Sequence, residues 1–284
     1  MPIQKVSLYL KMIKFSHSIF ALPFALTSAI IASKGIPPVK TLFWIIVAMV
    51  SARTAAMGLN RVIDMEIDRA NPRTAGREIP SGKVRPVEAI IFVAISLALL
   101  VLSAYMLNPL CLKLSPLAIA FIILYSYTKR FTWLSHFILG ITISAAPVGA
   151  WIAVTGALDL RIIPMGIAVV FWLAGFDILY ALQDIDFDRS YGLFSIPSRF
   201  GIRKSITLSR LCHFIAYLLL MYSGLVLHLS YPYYIGMMIT AGLFIYEHSL
   251  VKPDDLSKLD MAFFNMNGYI SVTVFLFTFL NFIL

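Results

Sequence analysis

Apolar residues fall into long blocks at residues 16–33, 41–60, 87–107, 109–127, 133–156, 162–184, 206–228, 230–250 and 261–283, separated by short polar segments. Each block is long enough to carry a helix across a hydrocarbon layer of ~30 Å. The apolar character continues around the whole helix rather than along one stripe, which distinguishes membrane spans from the amphipathic helices of a soluble bundle. The pattern predicts an all-α polytopic membrane protein with nine spans, a single domain over residues 1–284 and no room for a separate soluble domain. Pro23 in the first block and Pro147 in the fifth predict kinks, which neighbouring helices can accommodate.

Composition sharpens this picture without changing it. Hydrophobic residues make up 60% of the chain and charged residues only 13%. Lys5, Lys11 and Lys14 precede the first apolar block, an order shared with signal peptides, but the block is longer than a cleaved signal's apolar core and contains Pro23. It reads as a retained first helix. Cys111 and Cys212 lie in or beside apolar blocks and read as small buried side chains rather than a disulfide or a zinc site.

The net charge of +9 would suit a nucleic-acid binder, but its distribution follows membrane topology instead. With a cytoplasmic N-terminus, 18 basic residues fall on the cytoplasmic side and only Lys34, Lys40, Lys113 and Arg161 on the other, with Arg53 inside the second block. That asymmetry predicts a cytoplasmic N-terminus and a C-terminus on the opposite face. Nothing in the chain calls for nucleic acid or for an obligatory protein partner.

Against this background the segment from Asn60 to Arg85 is unusual, with four acids and six basic residues. Asn60, Asp64 and Asp68 are spaced by four, which places three oxygen-bearing side chains on one helical face. Like charges so spaced disfavour a helix, more so near the end of a span, unless a cation binds between them. Glu66 points elsewhere. Tyr180, Asp184 and Asp188 repeat the spacing at the end of the sixth block, 120 residues later, with Asp177 near the same face seven residues before Asp184 and deeper in the span, and Asp186 pointing away.

Both acidic faces end spans of the same direction and open to the same side. Two facing pairs of carboxylates suit hard divalent cations such as Mg2+, which in turn bind a polyanion such as a diphosphate. Arg73, Arg77 and Lys129 suit the remaining phosphate oxygens, whereas Lys83, Arg85 and Arg130 serve equally well as topological anchors. Arg53, two turns before Asn60 on the same face, requires a partner inside the bilayer. A carboxylate on a second substrate suits it better than Asp177 does.

These segments, "NRVIDMEID", "NPRTAGREIPSGKV", "YSYTKRFTWLSHFILG", "APVGAW" and "DILYALQDIDFD", resemble the UbiA-type intramembrane prenyltransferases over about residues 15 to 210. The resemblance implies nine helices around a central cavity, with Asn60, Asp64, Asp68, Asp184 and Asp188 holding Mg2+ and diphosphate and Arg73, Arg77 and Lys129 completing the phosphate shell. It implies that Tyr125 and Tyr180 line an allylic-cation site and that Arg53 faces an aromatic acceptor. His136 departs from the glutamine of many relatives, a change that bears on the acceptor rather than on the reaction.

The chain is most similar to the 4-hydroxybenzoate polyprenyltransferase branch, many of whose members serve the futalosine route to menaquinone. The resemblance therefore implies a bacterial inner-membrane enzyme of quinone biosynthesis. Its substrates would be a polyprenyl diphosphate and an aromatic acid, either 4-hydroxybenzoate or 1,4-dihydroxy-6-naphthoate. Asp177 becomes the candidate for accepting the ring proton or positioning the acceptor. A soluble prenyl synthase is excluded by the continuous apolar blocks, and a phosphatidyl-alcohol transferase by the missing D-G-x-x-A-R element. The non-enzymatic alternative is a cation or small-molecule transporter that uses the intramembrane acids.

Overall fold

The computed structural model describes residues 2–14 and 20–284, and within them all regular structure is helical. A short helix α1 (Pro2–Met12) precedes α2 (Leu22–Ser33) and the long α3 (Val39–Ile63), which is followed at once by α4 (Met65–Ala70). Next come α5 (Pro86–Leu107), α6 (Pro109–Thr128), α7 (Ser135–Thr155), α8 (Ile163–Ala181), α9 (Ile185–Tyr191), α10 (Ile196–Val226), α11 (Tyr231–Ser249) and α12 (Asn267–Leu280). Seven of these (α1, α2, α5, α6, α8, α10 and α11) carry proline in their first turn, where a missing N–H costs no helical hydrogen bond.

Among the described residues seven helical segments are long and apolar enough to cross a membrane, and α2 is a shorter apolar helix. The protein is an integral membrane protein. The first predicted block, 16–33, begins outside the described residues. Pro23 lies in the opening turn of α2 rather than at a kink inside a span, whereas Pro147 lies inside α7. Its carbonyl accepts a 2.6 Å hydrogen bond from the buried Ser28 hydroxyl. The seventh block, read as 206–228, is preceded by an extra stretch of α10 that breaks at Gly201, whose φ of +79° is costly for any other residue.

Helices α7, α8 and α10 meet through small residues. A Cβ on Gly140 would stand 2.5 Å from the Val170 carbonyl oxygen, and one on Gly175 would stand 2.4 Å from His213 Nε2. The resulting close approach gives van der Waals contact where lipid and side chain are equally apolar. Trp172, fully buried on α8, anchors the interior through Phe24 at 4.9 Å and Phe176 at 5.0 Å, and its indole N–H bonds Asn267 at 2.7 Å. A row of rings continues from Phe176 to Phe263 at 5.2 Å and on to Tyr180 at 4.1 Å. Phe263 belongs to a π-helical turn, Met261–Met266, that leads into α12. This aromatic row runs from the apolar interior to the acidic end of α8.

Candidate active site

Both acidic segments interrupt their helices at the same place. At Asp64 α3 gives way to α4, with φ −94° and ψ 9°, and at Asp184 a 3₁₀ turn gives way to α9, with φ −108° and ψ 7°. The uninterrupted face predicted for Asn60, Asp64 and Asp68 is therefore a helix, a break and a second short helix. Four-residue backbone bonds survive on both sides of the first break, Asp64 N to Asn60 O at 2.9 Å and Asp68 N to Asp64 O at 2.7 Å, so the three side chains keep a common face.

The two segments meet through the loop that follows α4. Arg73 grips both carboxylate oxygens of Asp184 and donates to the Tyr180 hydroxyl at 3.1 Å, while Asn71 donates to Asp184 at 2.8 Å. Burial opposes the Arg73 charge, but its bonds to Asp184 outweigh that cost and hold the guanidinium above its ordinary pKa. Arg77 turns back to Asp68 at 2.6 Å. Lys129, at the end of α6, reaches Asp64 at 2.5 Å, and Asn60 donates to the same oxygen at 2.9 Å. Asp188 accepts from the Ser195 hydroxyl at 2.8 Å and lies within electrostatic reach of Asp184 and Lys129.

Tyr180 stacks on Phe263, and Tyr125 lies within electrostatic reach of Asp64, Asp177 and Arg53. Asp177 pairs through Oδ2 with His136 at 2.7 Å. The buried Arg53 Nε has no hydrogen-bond partner and Arg53 makes no ion pair among the described residues. Glu66 forms an exposed pair with Arg69, away from the site.

Four groups in the site carried no such expectation. Arg130, one of the three residues left between anchor and ligand, lies 3.0 Å from Asp64 and caps α3 by donating to the Ile63 carbonyl at 2.9 Å. Arg61 is 4% exposed and stands 3.8 Å from Asp68. Asn71 bridges to Asp184. Lys14, counted among the topological charges, sits 5.6 Å over the Tyr180 ring and 5.2 Å over Phe264, and burial lowers its pKa. The four-residue spacing of polar residues could have flagged Arg61 only as a residue next to Asn60. Lys14 gave no signal, because the chain path that brings it to α8 is a tertiary feature.

The donor types suit a hard divalent cation: four carboxylates and an amide oxygen, with Asp64 Oδ1 and Asp68 Oδ2 buried and without hydrogen bonds. Each of those two oxygens faces a cation, Arg130 at 3.0 Å and Arg61 at 3.8 Å, so a metal bound there would take the place of a guanidinium. Among the described residues no three acid, histidine or cysteine groups converge as a ready cluster, because Lys129, Arg73 and Arg77 each hold a carboxylate.

A polytopic all-helical fold whose two acidic helix ends are joined by one basic loop defines an integral membrane protein with a single charged site built from both ends. Residues 21–269 match the UbiA prenyltransferase family, and the chain belongs to that family. It is 30% identical over 257 residues to a 4-hydroxybenzoate octaprenyltransferase of Vibrio atlanticus, covering 90% of each chain. Its fold superposes on the apo structure of a UbiA homolog from Aeropyrum pernix with a TM-score of 0.83 and 33% identity, covering 91% of this chain and 95% of that one. A UbiA homolog from Archaeoglobus fulgidus, bound to GPP and Mg2+, shares the fold at a TM-score of 0.73 and 19% identity, covering 98% and 100%. The transporter reading is left without support.

Proposed function

We propose that this aromatic polyprenyltransferase moves a polyprenyl group from its diphosphate onto an aromatic acid that is a quinone precursor. The observation that carries this reading is the bidentate bridge from Arg73 to Asp184, which joins both acidic segments into one anion-binding mouth at the end of the Phe176–Phe263–Tyr180 row. The acceptor is 4-hydroxybenzoate or 1,4-dihydroxy-6-naphthoate, both electron-rich aromatic carboxylates. Residues 1–284 act as one domain with nine crossings, the N-terminus and the mouth on the cytoplasmic side of a bacterial inner membrane and the C-terminus opposite.

Asn60, Asp64, Asp68, Asp184 and Asp188 would hold Mg2+. When bound, the metal would supply positive charge to the departing diphosphate. Arg73, Arg77 and Lys129 bind the remaining phosphate oxygens, exchanging their present carboxylate partners for the ligand. Their charge stabilises the leaving group as the allylic carbon–oxygen bond ionises, in a cavity where few waters can capture the cation. The rings of Tyr125 and Tyr180 present their electron-rich faces to that cation.

Arg53 takes the acceptor carboxylate, which answers its lack of an internal partner. The ring carbon beside the activating hydroxyl attacks carbon 1 of the chain, and Asp177 takes the displaced ring proton. Purified protein incubated with Mg2+, a polyprenyl diphosphate and each acid should give a prenylated acid by mass spectrometry. No product with any aromatic acid would refute the reading.

A further inference from the structure

The turn before α10 binds three parts of the site at once. Leu193 N donates to the Asp188 carbonyl at 2.8 Å, Phe194 N to the Lys129 carbonyl at 2.8 Å, and the Ser195 hydroxyl to the Asp188 carboxylate at 2.8 Å. The next amide, Ile196 N, points at His136 Nε2 at 3.3 Å. A backbone N–H can only donate, so Nε2 must carry the lone pair, and the ring proton therefore sits on Nδ1. From there it is donated to Asp177 Oδ2 at 2.7 Å. His136 is 3% exposed, too buried to meet substrate directly, whereas the Asp177 side chain remains 22% exposed.

We propose that His136 is a positioning residue for the proton-transfer step, holding Asp177 with one carboxylate oxygen free to accept the proton that leaves the acceptor ring. The inference rests on the prenyl-transfer reading above. Once the carbon–carbon bond to the prenyl chain has formed, the C–H bond at the same ring carbon breaks. Its electron pair restores the aromatic ring, and the proton goes to Asp177 Oδ1. No oxidant or reductant is needed.

The bond to His136 occupies Oδ2 and orients Oδ1, and the bond from Ile196 fixes the tautomer that makes this possible. Because the same turn holds Asp188 and Lys129, the base is kept in register with the diphosphate end of the site. The arrangement follows a general pattern in which a catalytic group is oriented by a second group that is itself hydrogen-bonded to the scaffold.

The test compares wild type, His136→Leu, His136→Gln and Asp177→Asn, with geranyl diphosphate and either 4-hydroxybenzoate or 1,4-dihydroxy-6-naphthoate, each with and without deuterium at the ring carbon that is alkylated. Asp177→Asn should lower kcat about a hundredfold and His136→Leu about tenfold, within or below the range of general-base effects. KM for geranyl diphosphate should stay unchanged. Both variants should show a primary isotope effect on kcat that wild type lacks, because loss of the ring proton becomes rate-limiting. His136→Gln, which keeps a donor and an acceptor, should recover most of the turnover and lose the isotope effect.

A folded His136→Leu with wild-type kcat, or slowed variants with no isotope effect, would overturn the role of His136 while leaving prenyl transfer intact. If His136→Leu fails to fold, a slow His136→Gln without an isotope effect overturns it equally. Absence of product from wild type with both acids would overturn the prenyl-transfer reading and this inference together.

Discussion

The two acidic helix ends share a spacing and a backbone break but differ in how their charge is balanced. At the first, Asp64 and Asp68 are 1% and 3% exposed, and each is flanked by two cations: Lys129 and Arg130 for the former, Arg77 and Arg61 for the latter. At the second, the Asp184 side chain is 18% exposed and held by one arginine, and Asp188 has only a serine hydroxyl and no ion pair among the described residues. The first end is a buried, neutralised floor. The second is a half-open wall that can change partners at lower cost, because a solvated ion pair gives up less on separation than a buried one.

This difference can be broken experimentally, beginning with the largest effect. Asp64→Ala and Asp184→Ala should each remove nearly all turnover, yet Asp64→Ala should also cost about 2–3 kcal/mol of stability by leaving Asn60 and the half-buried Lys129 and Arg130 without their shared partner. Asp184→Ala should cost about 1 kcal/mol. Melting curves in detergent read the contrast, and equal losses would erase the distinction between floor and wall. Arg73→Ala, which unlinks the wall from the loop, should lower turnover about a hundredfold, as removing one charge-stabilising donor does elsewhere. Lys at that position should restore only part of it, since it lacks the bidentate fork.

Arg53→Ala should raise KM for the aromatic acid about tenfold, the worth of one hydrogen bond to a charged group. KM for the diphosphate should hardly move, and equal changes in both would contradict the assignment.

The smallest effect concerns Lys14. Burial lowers its pKa from the ordinary 10.5, partly opposed by the Tyr180 hydroxyl, so between the lowered value and 10.5 the unfolded chain binds more protons than the folded one. Stability should therefore rise with pH across that window. Lys14→Gln should flatten the rise, a comparison made by melting at pH 8 and pH 10.

Much of the wall and floor was legible in the sequence because charge in an apolar chain is conspicuous and a spacing of four marks a helical face. Apart from the first block, which begins outside the described residues, and the seventh, where α10 starts ten residues earlier, the apolar blocks matched the long helices to within a few residues, since the bilayer sets both length and composition. What escaped was tertiary. Nothing local distinguishes Arg130, which pairs with Asp64, from Arg85, which forms an exposed pair with Glu88. Both follow apolar or loop segments, and only packing decides. The break at Asp64 was hidden because its four-residue bonds persist through it. The π-helical turn that sets Phe263 against Tyr180 has no sequence period by which to recognise it. Pro23 was misplaced because a proline in the first turn and one in mid-span look alike until the helix start is known.

The central claim is that both acidic ends act as one site that joins a prenyl chain to an aromatic acid. It is tested most directly by following diphosphate release and prenylated acid in the same reaction, with Mg2+, for wild type, Asp64→Ala and Asp184→Ala. The account requires the two products to appear in equal amounts with wild type, and both to vanish in either variant. Undiminished prenylated acid from a folded Asp64→Ala or Asp184→Ala protein would contradict it.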